Sequence, residues 1–331
     1  MATYRHPARK VKLIDLKMNF LEDFVKGLQS QPKTVSSKYF YDFKGDAIFQ
    51  EIMKMPEYYL TDSEYEIFST RAGDILKALS MDHRKFELVE FGAGDGFKTK
   101  RLIERLLEAG STFRYVPIDI SDNVLNILEE DIHNRFPELE VLPMHSDYFA
   151  AIENINHSSK NPKLVLFIGS SIGNFRNGQT EVFLNSLHQS LRDGDQVLIG
   201  FDLRKNPKTI LRAYDDPAGI TKSFNLNLLT RANRELDANF QIEAFDHYAL
   251  YDPDDGTARS YLVSLKEQTV HIGAGNVDIH FENGETIHTE VSRKFSIPQI
   301  GKLTGDAGFT VVEHFFDCRR YYVNTLLKKG N

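Results

Sequence analysis

The run FELVEFGAGDGFKTKRLIERLL at residues 86–107 constrains this chain more than any other segment. A short apolar, β-compatible stretch carries an acid, Glu90, just before a turn with glycine at alternate positions, Gly92, Gly94 and Gly96. Leu102, Ile103, Leu106 and Leu107 then recur at the spacing of one helix face. Strand, glycine turn and helix in that order let an open α/β sheet bring a ligand against backbone at a helix N-terminus. The spacing is G-x-G-x-G, not the G-x-G-x-x-G of a dinucleotide clamp, which disfavours a nicotinamide oxidoreductase. An acid before the glycines would repel a pyrophosphate and suits a cationic ligand such as S-adenosylmethionine. A tight β–α turn with no ligand is the plain alternative, because glycine-rich turns are common.

The alternation continues downstream. Strands are expected at 87–91, 115–120, 139–143, 164–168 and 196–201, and helices at 98–109, 123–135, 148–155 and 179–191. Gly110, Pro137 and Gly194 fall where those helices should stop. This order predicts a doubly wound, mostly parallel sheet. The flanks read differently. Helices are expected at 207–215 and 220–237, then strands at 245–251 and 259–265 around the turn residues 252–256, DPDDG. Segments 269–281 and 286–295 should extend that second sheet around Asn283-Gly284, a strong hairpin signal. Segments 309–316 and 321–327 should return to close the first sheet.

Composition narrows the function classes. A chain of 331 residues suits about two domains. A formal net charge of −7 argues against a nucleic-acid surface, which needs a basic stripe. Cys318 is the only cysteine, so neither an intrachain disulfide nor a cysteine-based metal site is available. The 11 histidines show no H-E-x-x-H spacing, and no metal is expected. No run reaches the length of a membrane helix, and the N-terminal residues lack the apolar core of a signal peptide. A cytoplasmic protein without a membrane partner is the simplest expectation.

Several polar residues fall at expected strand ends. Asp119, in PIDIS, is placed to accept both ribose hydroxyls of an adenosine, or else belongs to the N-cap region of the following helix. Asp147, in HSDYF, could accept from an adenine amino group with Tyr148 or Phe149 against the ring, or be an ordinary loop acid. Lys98 could reach a cofactor carboxylate, or sit on a solvated helix face. After the fourth strand, FIGSSIGNF carries Gly169, Gly173 and Asn174 to the mouth of such a site, where Asn174 is a candidate donor to a substrate carboxylate or a turn residue.

Across nearly its whole length the chain resembles the histidine-specific Nα-methyltransferases of the ergothioneine pathway. The resembling segments are KYFYD (38–42), MPEYYLT (55–61), FIGSSIGNF (167–175), RAYDDPAGIT (212–221), FNLNLL (224–229) and TEVSRKF (289–295). The resemblance implies an α/β fold: a Rossmann-like methyltransferase domain, residues 63–204 and 291–331, with a second α+β substrate-binding domain, residues 1–62 and 205–290. It implies S-adenosylmethionine as cofactor, held by Gly92, Gly94, Lys98, Asp119, Asp147 and Tyr148, and L-histidine as the small-molecule substrate of a monomer. Asn174 and Tyr214 would hold the substrate carboxylate, with Gly169 beside them. Tyr41 and Tyr58 would flank the amine, Tyr41 being the best candidate base, and Glu290 and Ser292 would hold the imidazole. Glu290 and Ser292 are two apart on a strand pattern and share a face. A carboxylate and a hydroxyl match the donor and acceptor of a neutral imidazole. Two departures stand out: Ser260 occupies a position where the family often has an apolar Met, and the glycine motif reads GAGDG. The first leaves room for another amino acid or a biogenic amine as substrate. A non-catalytic sensor of S-adenosylmethionine or an amino acid is the reading from a different class.

Overall fold

The computed structural model describes residues 20–79, 85–154, 160–176 and 178–330. The N-terminal residues compared above with a signal peptide lie outside them. Contacts within the chain divide it into two compact units, one of 1–51, 214–250 and 259–290, the other of 52–213, 251–258 and 291–331. In chain order the first elements are helix α1 over 20–29, strand β1 (Lys33–Thr34), α2 (Phe43–Met53), α3 (Tyr59–Thr70) and α4 (Ala72–Ala78). Helix α3 falls wholly in the second unit, although the sequence boundary was expected after residue 62.

The second unit is built on an eight-stranded sheet. Its elements are β2 (Phe86–Phe91), α5 (Thr99–Glu108), β3 (Phe113–Asp119), α6 (Asp122–Arg135), β4 (Glu140–Val141), β5 (Met144–His145), α7 (Tyr148–Asn154), β6 (Lys163–Phe167), α8 (Gln179–Ser190) and β7 (Gln196–Asp202). With β13 (Phe309–Phe316) and β14 (Tyr322–Lys329) from the tail, strand order is β13-β14-β7-β6-β2-β3-β4, and β5 also lies on β3. The β2–β3, β2–β6, β3–β4 and β6–β7 pairs are parallel. The tail closes this sheet as expected: β13 (Phe309–Phe316) and β14 (Tyr322–Lys329) pair antiparallel, and β14 lies antiparallel on β7. All six residues of β2 are buried, the acids Glu87 and Glu90 among them. Leu88 joins one core cluster with Leu102, Ile103 and Leu128. Val89 and Phe91 join the other, with Phe167, Phe183 and Ile199. The third expected strand is corrected. In place of 139–143 there are two two-residue strands, β4 and β5, because Pro143 between them has no N–H for the ladder.

The chain runs outward from β2 through β3 to β4, then returns to the other side of β2 for β6 and β7. That reversal makes a topological switch point between β2 and β6, and in open α/β sheets ligands bind past the carboxyl ends of the strands at such a point. Gly92–Gly96 and Ile168–Gly169 lie at that edge.

The remaining elements are α9 (Pro207–Arg212), α10 (Ile220–Leu236), β8 (Phe245–Asp252), β9 (Thr257–Ser264), β10 (Gln268–Ile272), β11 (Val277–Phe281), β12 (Thr286–Arg293) and α11 (Ile297–Asp306). A four-stranded sheet runs β1-β12-β9-β8, with β1 parallel to β12. Segment 269–281 does not extend that sheet. It folds on itself as the separate antiparallel pair β10–β11. The reversal uses Gly273–Gly275 and Asn276, which takes a left-handed φ of 46°. Asn283-Gly284 is a turn, with Gly284 at φ 83°, but it hands the chain from β11 to β12 in a different sheet.

Candidate active site

The glycine turn after β2 is shaped by backbone geometry. Gly92, Gly94 and Gly96 have φ of 70°, 56° and 63°, a region that L side chains rarely adopt. A Cβ on Gly92 would stand 2.7 Å from the Tyr148 hydroxyl, whereas one on Gly94 would meet nothing within 4 Å. Gly94 therefore offers bare backbone to open space. Its N–H donates to Asp119 Oδ2 at 3.1 Å, and the Ser121 N–H donates to Oδ1 at 3.0 Å. Burial raises the Asp119 pKa, and these backbone donors only partly offset it. Ser121 supplies the cap of α6, accepting from Val124 N–H at 3.3 Å, so Asp119 is left to hold the turn.

Glu90 plays a different part from the one expected of it. It is 1% exposed and accepts from the Thr99 and Tyr115 hydroxyls. Burial pushes its pKa up to about 7, so near neutrality it is a half-protonated strut rather than a fixed negative charge. Asp147 is exposed, and its Oδ1 accepts from Phe149 and Ala150 N–H at 3.0 Å, capping the short helix α7. The Tyr148 ring is wedged among Phe91, Phe167, Phe175 and Phe183, with centroids 5.2–6.3 Å away.

Lys98 and Gly169 meet through a residue the sequence did not single out. Glu64, fully buried on α3, binds the Lys98 ammonium and accepts from Gly169 N–H at 2.8 Å with the same oxygen, Oε2. A Cβ on Gly200 in β7 would collide with Glu64 Oε1, so an isolated glycine inside an apolar strand was the one sequence signal for it. Gly169 is left-handed at φ 74°, and so is the non-glycine Ser170 at 59°. Ser170 is held there by accepting from Asp202 N–H at 3.1 Å. Asn174 ends the single 3₁₀ turn Ser171–Asn174 and is half-buried. Tyr58, also half-buried, precedes α3 at its N-cap.

A second cluster in this unit was also missed. Asp202, fully buried at the end of β7, accepts from the Lys294 ammonium at 2.8 Å and the Tyr59 hydroxyl at 2.8 Å, and it binds the Lys205 ammonium. Lys294 also donates to Ser292 Oγ at 2.9 Å, and both residues are buried. Burial works against an ionised Asp202, but the Lys294 and Lys205 charges outweigh it and hold the carboxyl below its usual range. Burial lowers Lys205 to about 8 even with Asp202 beside it.

Tyr41, Tyr214 and Glu290 lie in the other unit. Tyr41 packs edge-on to Phe49 and Phe224 at 5.6 and 5.8 Å. Its carbonyl accepts from Arg231 at 3.1 Å. Tyr214 is 5% exposed. Two residues on, Asp216 caps α10 by accepting from Ile220 and Thr221 N–H at 2.9 and 2.8 Å. The FNLN asparagines brace this unit: Asn227 donates to Asp42 at 2.8 Å, and Asn225 accepts from the Thr289 hydroxyl at 2.8 Å. Glu290 is half-buried, and its Oε2 accepts from the Ser260 hydroxyl at 3.2 Å. Ser260 is fully buried, so the polar residue at the family's Met position is tied to Glu290.

Among the described residues, no group of His, Cys, Asp and Glu is arranged to hold a metal ion. No helix among them is long and apolar enough to cross a membrane.

A family model described as histidine-specific methyltransferase, SAM-dependent, matches residues 20–329. The chain is 35% identical over 295 residues to a histidine N-alpha-methyltransferase of Mycobacterium tuberculosis, covering 89% of this chain and 90% of that one. It is 36% identical over 282 residues to the protein of the same name from Mycolicibacterium smegmatis, covering 85% and 86%. It is also 26% identical to an L-tryptophan methyltransferase of Psilocybe serbica, over 93% of this chain and 92% of that one.

Proposed function

Because this chain belongs to the family of histidine-specific, S-adenosylmethionine-dependent methyltransferases and is an enzyme of that kind, we propose how its residues divide the work. The reaction is transfer of methyl groups from S-adenosylmethionine to the α-amino nitrogen of L-histidine, giving N,N,N-trimethylhistidine (hercynine).

The observation that carries the cofactor assignment is the pairing of Gly94 with Asp119. Gly94 presents bare backbone, and Asp119 is fixed beside it at the topological switch point, with a raised pKa that further donors would relieve. A ribose diol supplies two such donors. In this reading Asp119 takes the ribose, Gly92 and Gly94 let the cofactor approach, and Asp147 and Tyr148 face the adenine. Lys98, shared with Glu64, takes the amino-acid carboxylate. When bound, S-adenosylmethionine supplies an electrophilic sulfonium methyl. The protein's task is to hold the amine lone pair in line with it.

On the substrate side, Asn174 and Tyr214 hold the carboxylate with Gly169 beside them, and Tyr58 and Tyr41 flank the amine. Ring faces suit a nitrogen that becomes a quaternary cation. Tyr41 is the candidate relay for the proton the amine must lose before each transfer, its oxygen accepting from the ammonium as its own hydroxyl proton passes on to solvent. Glu290 accepts from the imidazole N–H and Ser292 donates to the other ring nitrogen. An indole N–H could also donate to Glu290, which Ser260 braces, but an indole offers no acceptor nitrogen to Ser292, and that contact favours the imidazole. The proposal extends to a monomeric, cytoplasmic enzyme acting on a small molecule, and the net charge of −7 weighs against a nucleic-acid partner. Calorimetry tests the assignment. S-adenosylmethionine should bind, histidine should bind, and NAD should not; NAD binding in place of S-adenosylmethionine would overturn it.

A further inference from the structure

The proposed role for Ser292 requires its hydroxyl to act as a donor, yet a serine hydroxyl can donate or accept. The buried cluster around Asp202 resolves that ambiguity. An ammonium has three donors and no acceptor, so in the 2.9 Å contact with Lys294 the Ser292 oxygen must accept. The hydroxyl proton is thereby turned away from Lys294. Lys294 itself is fixed. Its side chain is 0% exposed and lies 2.8 Å from Asp202 Oδ2. Its backbone N–H donates to the Gly256 carbonyl at 2.7 Å. Asp202 is held in turn by Tyr59 and Lys205, and its own N–H is bonded to Ser170 in the loop that leads to Asn174.

We propose that Lys294 is a positioning residue for side-chain recognition: anchored on Asp202, it forces Ser292 to present a hydrogen-bond donor, and so selects substrates whose ring offers an acceptor nitrogen. This deepens the assignment of Ser292 to the imidazole and rests on it.

The test compares histidine with 3-(pyrrol-2-yl)alanine, which keeps the ring N–H but lacks the acceptor nitrogen. Wild type should prefer histidine by roughly 10- to 100-fold in kcat/KM, the range for leaving a buried polar group unpaired. Lys294→Met should lower kcat/KM for histidine about tenfold, mainly through KM, and change the pyrrole analogue less than about threefold. In a Ser292→Ala background the same change should cost histidine less than about twofold, because the hydroxyl it orients is gone. Lys294→Arg, still donor-only, should keep the preference. Equal losses on both substrates, or additive losses in the double variant, would overturn the proposal. If Lys294→Met does not fold because Asp202 is left unpaired, Lys294→Met with Asp202→Asn removes that charge and is read by the same preference ratio. Wild type failing to methylate histidine at all would instead overturn the functional assignment on which this rests.

Discussion

In the proposed assignment, the glycine edge of the large sheet and the strand β12 would meet the problem of binding in opposite ways. At the glycine edge, backbone either faces the ligand or steadies the side chain that does. Gly94 presents an uncovered peptide, and Asp119 is steadied by two N–H groups within the same turn region. On and just past β12 the recognition elements are side chains backed by other side chains: Glu290 by Ser260, Ser292 by Lys294 two residues on, and Lys294 by Asp202. A backbone site tolerates variation in what surrounds it, as GAGDG does here, so long as the glycines keep their positive φ. A side-chain site depends on each supporting partner, which makes it the place where specificity is set and can be lost.

The largest expected effect lies on the substrate side. Histamine lacks the carboxylate assigned to Asn174 and Tyr214, and a site built to hydrogen-bond a group rejects analogues lacking it by about 10⁴-fold in kcat/KM. Comparable turnover of histamine and histidine would remove the carboxylate clamp and favour a biogenic-amine substrate. Next is the glycine edge. Asp119→Ala should weaken S-adenosylmethionine binding by about 1.5–3 kcal/mol, the cost of a lost charged hydrogen bond, while histidine affinity at saturating cofactor changes little. Calorimetry showing unchanged cofactor affinity in the folded variant would take Asp119 out of the site.

Glu90 sharpens the comparison through pH. Its folded pKa of about 7 lies above its ordinary 4.5, so its contribution to stability is complete below pH 4.5 and is lost as pH rises through 7. Glu90→Gln does not titrate there. Its stability relative to wild type should improve with rising pH by about 2–3 kcal/mol between pH 5 and 8, as read from denaturant midpoints. A difference independent of pH would mean that Glu90 is charged throughout and does contribute a field to the turn. The smallest effect belongs to Ser260→Ala, which removes a neutral donor to a carboxylate. KM for histidine should rise by a factor matching about 0.5–1.5 kcal/mol, with S-adenosylmethionine affinity unchanged. A change confined to the cofactor would break the separation between the two regions.

That separation also explains what was legible in the chain. The glycine turn, the parallel strands and the strand-end acids are local: spacing, apolar runs and positive-φ residues announce them within a few positions. Pro143 splitting the third strand was local too, and visible in hindsight. The pair β10–β11 departs from the expected single strand because Gly273, Gly275 and a left-handed Asn276 reverse the chain inside 269–281, over a longer loop than a tight hairpin dipeptide makes. Glu64, Asp202 and Lys294 were invisible for a different reason. Each acts through a partner far along the chain, Lys98, Lys294 and Asp202 respectively, and a lone acid in a helix or a lone lysine beside a strand carries no mark of the ion pair that buries it. TEVSRKF was informative only as a resembling segment; its serine–lysine contact came from the fold.

The central claim, that this chain methylates the α-amine of histidine and chooses it by the imidazole, is tested most directly by competition. The purified protein is incubated with S-adenosylmethionine and an equimolar mixture of histidine, tryptophan, tyrosine and phenylalanine, and the products are read by mass spectrometry for wild type and Glu290→Ala. Trimethylated histidine should dominate in wild type and fall by about 1–3 kcal/mol in kcat/KM in the variant, because the imidazole donor loses its acceptor. Better methylation of another amino acid by wild type, or undiminished histidine turnover by Glu290→Ala, would contradict it.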